Sequence, residues 1–448
     1  MHVVILGAGV VGFQIASELI SEGKDVVLIE KDTERANYVS NHLDCMVIND
    51  EGTSIKTLKR AGIDRANFFI SVTNSDEMNM ITCAIVANEF TVPFKIARVR
   101  NLDYSKGKIF EKPFLGIDFI VNSEVETARL IANTVALGAN SDVMLFQKKD
   151  IQMRNIIVEK SSFFCNRTLK EIRKTLTESF LVSGILRGDS FIIPSGDTVI
   201  RENDNIYLLA TKDNLTKIFI KVGRKSDKID NIIIVGGGKI GSLVCRYLIR
   251  TGRKITIIDS GYENCKRLSA EFPDALVINA DVSDEDIFRE EQLDRHDLII
   301  TATDNQELNI LTSVYAKSLG IKRSVALVTK SNYLPIASKL EIDATISPKN
   351  STVDAILKYI RRGDIKSVHT LFNGKAEVIE FSVDQKSPIS EKKIQELPMP
   401  DNSLILSVIR HDEDIIPTGN FSIQPGDTVI TIARKDSISK LEELFISQ

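Results

Sequence analysis

A chain of 448 residues, 43% hydrophobic and 26% charged, has the composition of a globular protein with real cores. Its net charge of −4 supplies no basic excess for tracking nucleic-acid phosphates, so no nucleic-acid partner is expected. No apolar run approaches the roughly 18 residues that span a bilayer, and the N-terminus opens into a strand instead of a charged leader, so a soluble, non-exported protein of roughly two to four domains is expected.

His2–Leu6 is predicted to form a buried strand, closed by the turn Gly7-Ala8-Gly9-Val10-Val11-Gly12. Val10, Val11, Ile15, Ala16, Leu19 and Ile20 then make a helical stripe that ends near Gly23. Strands follow at Val26–Ile29, Cys45–Ile48, Phe68–Val72 and Phe94–Val99, with helical segments around Thr53–Arg60 and Asp76–Glu89. Near-continuous apolar strands alternating with helices predict a parallel sheet covered on both faces, the Rossmann-type α/β arrangement, over residues 1–140. An apolar helical stretch, Ile131–Leu145, bridges into residues 141–222, where β-branched runs separated by Gly, Pro, Asp and Asn turns predict a small α+β module rich in hairpins. Thr211–Asp230, charged at Lys221–Lys228, is expected to be an exposed connector.

The order then returns. Ile232–Val235 leads into Gly236-Gly237-Gly238-Lys239-Ile240-Gly241, and strands at Ile255–Ile258, Leu276–Ile278, Leu298–Thr301 and Ser324–Thr329 complete a second Rossmann domain over residues 229–363. Residues 364–448 repeat the small module: Leu186-Arg187-Gly188-Asp189 matches Ile409-Arg410-His411-Asp412, and Ile192–Asp197 matches Ile415–Asn420. Asp204–Ala210 matches Asp427–Ala433 at the same offset. Because Thr73-Asn74 aligns with Thr303-Asp304 and Asn79 with Asn309, the register survives loops as well as strands, which argues for duplication.

In a dinucleotide turn the first glycine permits the bend, the second admits the pyrophosphate to the backbone, and the third lets helix pack close on strand. Gly7, Gly9 and Gly12 fill these places in the first half; Gly236, Gly238 and Gly241 fill them in the second. The helix N-terminus then offers free N–H groups and positive potential to phosphate. Ala8, Val10 and Val11, with Lys239 and Ile240, complete the loop backbones, and Lys239 adds a cation that Val10 lacks. Glu30 and Asp259 stand at the same distance beyond the first glycine, where a carboxylate accepts both ribose hydroxyls, favouring NAD or NADH over the 2′-phosphorylated cofactor while admitting ATP and ADP. Thr73, Asn74, Thr303 and Asp304 are expected beside the adenosine, with Asp50 and Asp281 bordering the adenine. Arg98 is expected to reach a phosphate or ribose, whereas its counterpart is Leu327, so tighter dinucleotide binding is predicted in the first half.

The five cysteines, Cys45, Cys83, Cys165, Cys245 and Cys265, lack CxxC spacing and fit reduced, core-filling thiols better than a disulfide frame or a zinc site. No metal site is expected. The five histidines, His2, His42, His296, His369 and His411, are scattered without a catalytic partner. A dehydrogenase needs a proton donor and a carbonyl clamp brought to the nicotinamide, so an NAD-dependent oxidoreductase with an unidentified small substrate is the alternative reading, not the first. A DNA-binding redox repressor would need a helix-turn-helix and a basic face, and neither is found.

Two Rossmann units, each followed by an Arg-Gly-Asp or Arg-His-Asp turn and an Ile-Pro-[Ser/Thr]-Gly hairpin, resemble the RCK (KTN) modules that regulate potassium channels and transporters. The resemblance covers essentially the whole chain, and the tandem order is its specific part. It implies a non-enzymatic regulatory subunit that assembles as a ring, as a homotetramer, peripheral on the cytoplasmic face of the cell membrane. It further implies docking on a potassium-translocating subunit of the TrkH or TrkG type, with bound NAD(H), ATP or ADP changing the ring's shape.

Overall fold

A computed structural model describes residues 1–101, 115–136, 139, 144–145, 151–188, 190–222, 229–340, 342–360, 365–371, 376–411 and 413–445. The chain divides into two compact units, one of residues 1–139 and 229–360 and the other of residues 140–228 and 361–448. Each unit thus takes one segment from each half of the sequence.

The first unit holds two six-stranded parallel sheets. Strands β1 (His2–Leu6), β2 (Asp25–Glu30), β3 (Met46–Asn49), β4 (Phe68–Ser71), β5 (Phe94–Arg98) and β6 (Phe119–Val121) lie in the order β3-β2-β1-β4-β5-β6. β1 is buried along its whole length, as a central parallel strand covered on both faces must be. In the second half β12 (Asn231–Val235), β13 (Lys254–Asp259), β14 (Leu276–Asn279), β15 (Leu298–Thr301), β16 (Arg323–Leu327) and β17 (Ala344–Ile346) repeat it as β14-β13-β12-β15-β16-β17. β6 and β17, absent from the strands predicted above, are three residues each and too short to show a period.

The two halves exchange helices. The helix Ser123–Ala136 leaves β6 of the first sheet, yet its Ala128, Ile131 and Val135 join the core of Ile232, Ile234, Val244 and Leu248 under the second sheet. The helix Pro348–Ile360 makes the reciprocal move, placing Val353, Ile356 and Tyr359 among Val3, Ile5, Ile15 and Leu19. Tyr359 stacks on Phe119 with ring centroids 4.4 Å apart. Either half alone would expose an apolar face that the other covers, so the halves do not form independent bodies. The bridge predicted over Ile131–Leu145 is helical to Ala136; residues 137, 138 and 140–143 lie outside the described residues.

The second unit holds two five-stranded antiparallel sheets of matching topology. The first comprises β7 (Met144–Leu145), β8 (Ile151–Ile157), β9 (Leu181–Arg187), β10 (Ser190–Ile192) and β11 (Asn205–Thr211), ordered β10-β9-β11-β8-β7. The other, β18 (Ile365–Leu371) to β22 (Thr428–Arg434), is ordered β18-β19-β22-β20-β21, with β19 at Ala376–Ser382, β20 at Ser403–Arg410 and β21 at Glu413–Ile415. The connector predicted over Thr211–Asp230 is corrected in its first part. Thr211 ends β11 and caps a helix, Lys212–Lys221, whose Leu215 and Ile218 are fully buried, so this segment belongs to the small module; residues 223–228 lie outside the described residues.

The arginine of the repeated Arg-Gly-Asp and Arg-His-Asp turns is structural. Arg187 clamps Asp204 through Nε and Nη2 at 2.8 and 2.7 Å, and Arg410 clamps Asp427 at 2.9 and 2.8 Å. Each carboxylate also accepts a backbone N–H, from Arg201 or Gln424, which closes the turn entering β11 or β22. Among the described residues no helix is long and apolar enough to cross a membrane.

Candidate nucleotide sites

In both sheets the strand order reverses between the first and fourth strands, and the glycine turns sit at the carboxyl ends beside that switch point, where open α/β sheets bind ligands. The three glycines of each turn are required for different reasons. Gly7 and Gly236 have φ of +101° and +94°, a left-handed backbone that side chains resist. A Cβ on Gly12 would lie 1.9 Å from the Gly7 carbonyl oxygen, and one on Gly241 equally close to that of Gly236, so helix and strand could not pack. Gly9 and Gly238 have an ordinary φ of −64°. A Cβ on Gly238 would meet nothing within 4 Å, and one on Gly9 only Arg35 Nη1 at 3.6 Å. Nothing inside the fold requires glycine at those two places; what remains is space over backbone.

That space faces helix ends with open donors. Gly9 and Gly238 cap the helices Val10–Ser21 and Lys239–Ile249 without any side-chain hydrogen bond, whereas Asp32, Ser54, Ser75 and Asn305 cap neighbouring helices with theirs. Val11 and Ile240 turn their side chains to the cores and can offer a ligand backbone only; Val10 is 64% exposed and Lys239 is also exposed.

The predicted acids stand across the turn. Glu30 accepts the N–H of Ala8 at 2.7 Å and of Asp32 at 2.9 Å. Asp259 accepts the N–H of Gly237 and of Gly261, each at 2.8 Å, and the Asn264 amide at 2.9 Å. These bonds fix the carboxylates while leaving acceptor capacity for a diol. In the second half Asp259, Asp281, Thr303 and Asp304 line one cleft of about 310 Å³ with Gly236, Gly238, Asn264 and Leu308. Asp50 is engaged locally, binding Thr57 and Arg60 at 2.9 and 3.0 Å. The Glu51 N–H and then the Thr57 hydroxyl hold its pKa below the ordinary value, and Ser283 does the same for Asp281.

Four further residues, outside the glycine turns and the predicted acids, shape the floor. Asn79 receives the Thr73 N–H and hydroxyl on Oδ1 at 2.8 and 2.7 Å and donates to the Arg98 carbonyl at 2.8 Å, tying β4 to β5. Asn309 repeats this with Thr303 and Leu327. Asp76 accepts the N–H groups of Arg100 and Asn101, and Gln306 those of Thr329 and Lys330, holding the loop after β5 or β16. The constant offset already paired Asn79 with Asn309; a buried polar residue at matched places in two amphipathic helices was the available signal.

The sites differ in charge. Sheet pairing places Arg98 opposite Val121 and Leu327 opposite Ile346, which makes Arg98 and Leu327 structural counterparts. Arg35, at the rim over Gly9, is replaced by Asn264, and Arg100, which holds the Asn74 carbonyl, by Thr329. Burial, and next the charge of Arg100, lower the pKa of Arg98 against the opposing charges of Glu124 and Asp76, so an anion beside it would favour its charged form.

The histidines lie elsewhere. His2 binds Asp25 and the Ala61 carbonyl at the opposite end of β1, His296 binds Thr256 and the Leu293 carbonyl, and His42 stacks on Tyr38. Cys83, Cys245 and Cys265 are buried, and burial pushes the Cys245 thiol up to about 12.

Comparison with known proteins agrees with this architecture. The TrkA-N domain description matches residues 3–123 and 232–348, and the TrkA-C domain description matches residues 153–220 and 378–446. A relative from Methanosarcina mazei, Trk system potassium uptake protein TrkA homolog 1, is 30% identical over 99% of this chain and 100% of its own. The Trk system potassium uptake protein TrkA of Halomonas elongata is 29% identical over 99% and 98%. Among solved structures the GsuK channel bound to NAD superposes with a TM-score of 0.57 at 18% identity, covering 99% of this chain and 78% of that one, a likeness of fold. The chain therefore belongs to the TrkA family of Trk-system potassium uptake proteins, as two successive pairs of TrkA-N and TrkA-C domains.

Proposed function

We propose that this chain is a nucleotide-responsive regulatory subunit that gates a membrane potassium-translocating protein of the TrkH or TrkG type, and that NAD(H), ATP and ADP are its effectors. The observation that supports the reading is the approach over Gly9 and Gly238, which no backbone obstructs, each at a helix N-terminus without a side-chain cap and each in a turn held by a fixed carboxylate. Relatives named for potassium uptake and a channel of the same fold bound to NAD supply the context. The protein acts as a homotetrameric ring, peripheral on the cytoplasmic face, and performs no chemistry of its own. A ligand shifts a conformational equilibrium only by its difference in affinity between the states, about 1–3 kcal/mol per site. Several sites in a ring multiply that bias.

Because the halves exchange helices, the test uses the whole chain with one site blocked by an aspartate at its second glycine. With Gly238→Asp, calorimetry should show the first site binding NAD and ADP about 10-fold or more tighter than the second site does in Gly9→Asp, reflecting its charge-assisted phosphate contacts. Equal affinities would refute the asymmetry. Absence of binding in both would remove the proposal.

A further inference from the structure

Arg98 is linked to the opposite half of the molecule. Among the described residues its side chain makes one hydrogen bond, Nε–H to Ser123 Oγ at 3.2 Å, which leaves its terminal N–H groups uncommitted. Ser123 opens the exchanged helix Ser123–Ala136, and its Oγ lies 2.9 Å from Thr352 Oγ1, fully buried in the reciprocal helix Pro348–Ile360. Thr352 Oγ1 lies 2.7 Å from the Pro348 carbonyl. Ser123 Oγ therefore accepts from both sides, from Arg98 Nε–H and from the Thr352 hydroxyl, whose single proton is shared between Ser123 Oγ and the Pro348 carbonyl. The chain of bonds crosses between the halves where their two exchanged helices meet.

The second half has no equivalent. Leu327 replaces Arg98, and Pro348, which carries no hydroxyl, stands where Ser123 does, as the matched bonds from Thr127 Oγ1 to the Ser123 carbonyl and from Thr352 Oγ1 to the Pro348 carbonyl show. The coupling is therefore built once, into the first site.

We infer that Ser123 and Thr352 are positioning residues for Arg98, so that the packing of the second half's helix sets how strongly the first site holds nucleotide phosphate. This rests on the nucleotide reading above and adds its direction of regulation. Thr352 acts through Ser123, which aims the guanidinium by holding Nε. By linkage, phosphate that engages Arg98 must in turn favour the helix crossing that aims it. Adenosine, which carries no phosphate, does not engage this device.

The test is a double-mutant cycle in the full-length Gly238→Asp chain, measuring ADP by calorimetry and adenosine by ligand-observed NMR. Thr352→Val is isosteric and removes the hydroxyl. It should weaken ADP about 3- to 10-fold while adenosine changes less than about 2-fold, and Thr352→Ser should restore ADP. In an Arg98→Ala background, Thr352→Val should leave ADP affinity where Arg98→Ala put it. Equal losses for ADP and adenosine, an ADP loss that persists without Arg98, or no loss at all would overturn the coupling. Those results differ from failure of the nucleotide reading itself, in which the Gly238→Asp chain with Thr352 intact binds neither compound.

Discussion

Gly9→Asp or Gly238→Asp should lower nucleotide affinity at its own site by about 100-fold or more while leaving the melting temperature within about 2 °C. Both positions have φ of −64°, and a new Cβ meets no backbone. Aspartate is moreover a favoured N-cap, so the helices accept it readily. Its carboxylate would stand where phosphate must approach, and one like-charge pair at about 4 Å is worth about 4 kcal/mol under partial screening. Gly12→Ala and Gly241→Ala should divide the effects the other way. The new methyl would sit 1.9 Å from a carbonyl oxygen of the same turn, so backbone must move, and a loss of about 3 kcal/mol of stability is expected. Calorimetric titration and thermal unfolding of the four variants separate the glycines that serve a ligand from those that serve the fold. If Gly9→Asp binds ADP normally at the first site, the approach over Gly9 is not a phosphate site.

The second large effect concerns the small modules. Asp204→Ala would leave the Arg187 guanidinium, and the N–H of Arg201, facing a void in place of a carboxylate whose side chain is only 1% exposed. Removing one partner of such a pair costs about 3 kcal/mol or more. The same pair gives a pH dependence of definite sign. Burial acts to raise the Asp204 pKa, but the hydrogen bonds from Arg187 and Arg201 outweigh it and hold the native value below the ordinary one. A lowered native pKa contributes stability that is complete above the unfolded value of about 4 and is lost as pH falls through the native value. The second unit should therefore lose amide protection below about pH 4, and Asp204→Asn should be less stable at neutral pH and flatter on that acid limb. The chain contains no tryptophan, so hydrogen exchange is the suitable probe. An unchanged acid limb in Asp204→Asn would contradict the assignment.

Strands buried on both faces read as apolar runs, and the glycine turn marks where the first of them ends, so the two Rossmann sheets were legible from β1, β2, β12 and β13 onward. The roles of Gly7 and Gly12 were equally legible, because backbone sterics depend on the residue itself. The helix exchange was hidden for a physical reason: the period of Ala128, Ile131 and Val135 announces an apolar face but not which sheet it covers. Lys212–Lys221 reads as connector in the sequence because its lysines mask Leu215 and Ile218, three residues apart on one face. The Arg187–Asp204 pairing spans a hairpin, and local pattern carries no information on such contacts. Asn79 and Asn309 were aligned, yet their bonds to β4 and β5, and to β15 and β16, become visible only when the strands are side by side.

The most direct test of the regulatory claim is potassium flux through the reconstituted membrane subunit with this chain bound. Flux should change on adding ADP or NADH, and the double variant Gly9→Asp/Gly238→Asp should bind the membrane subunit equally well but give no response. Flux that ignores nucleotide in the unaltered complex, or a response that survives in the double variant, would contradict the account.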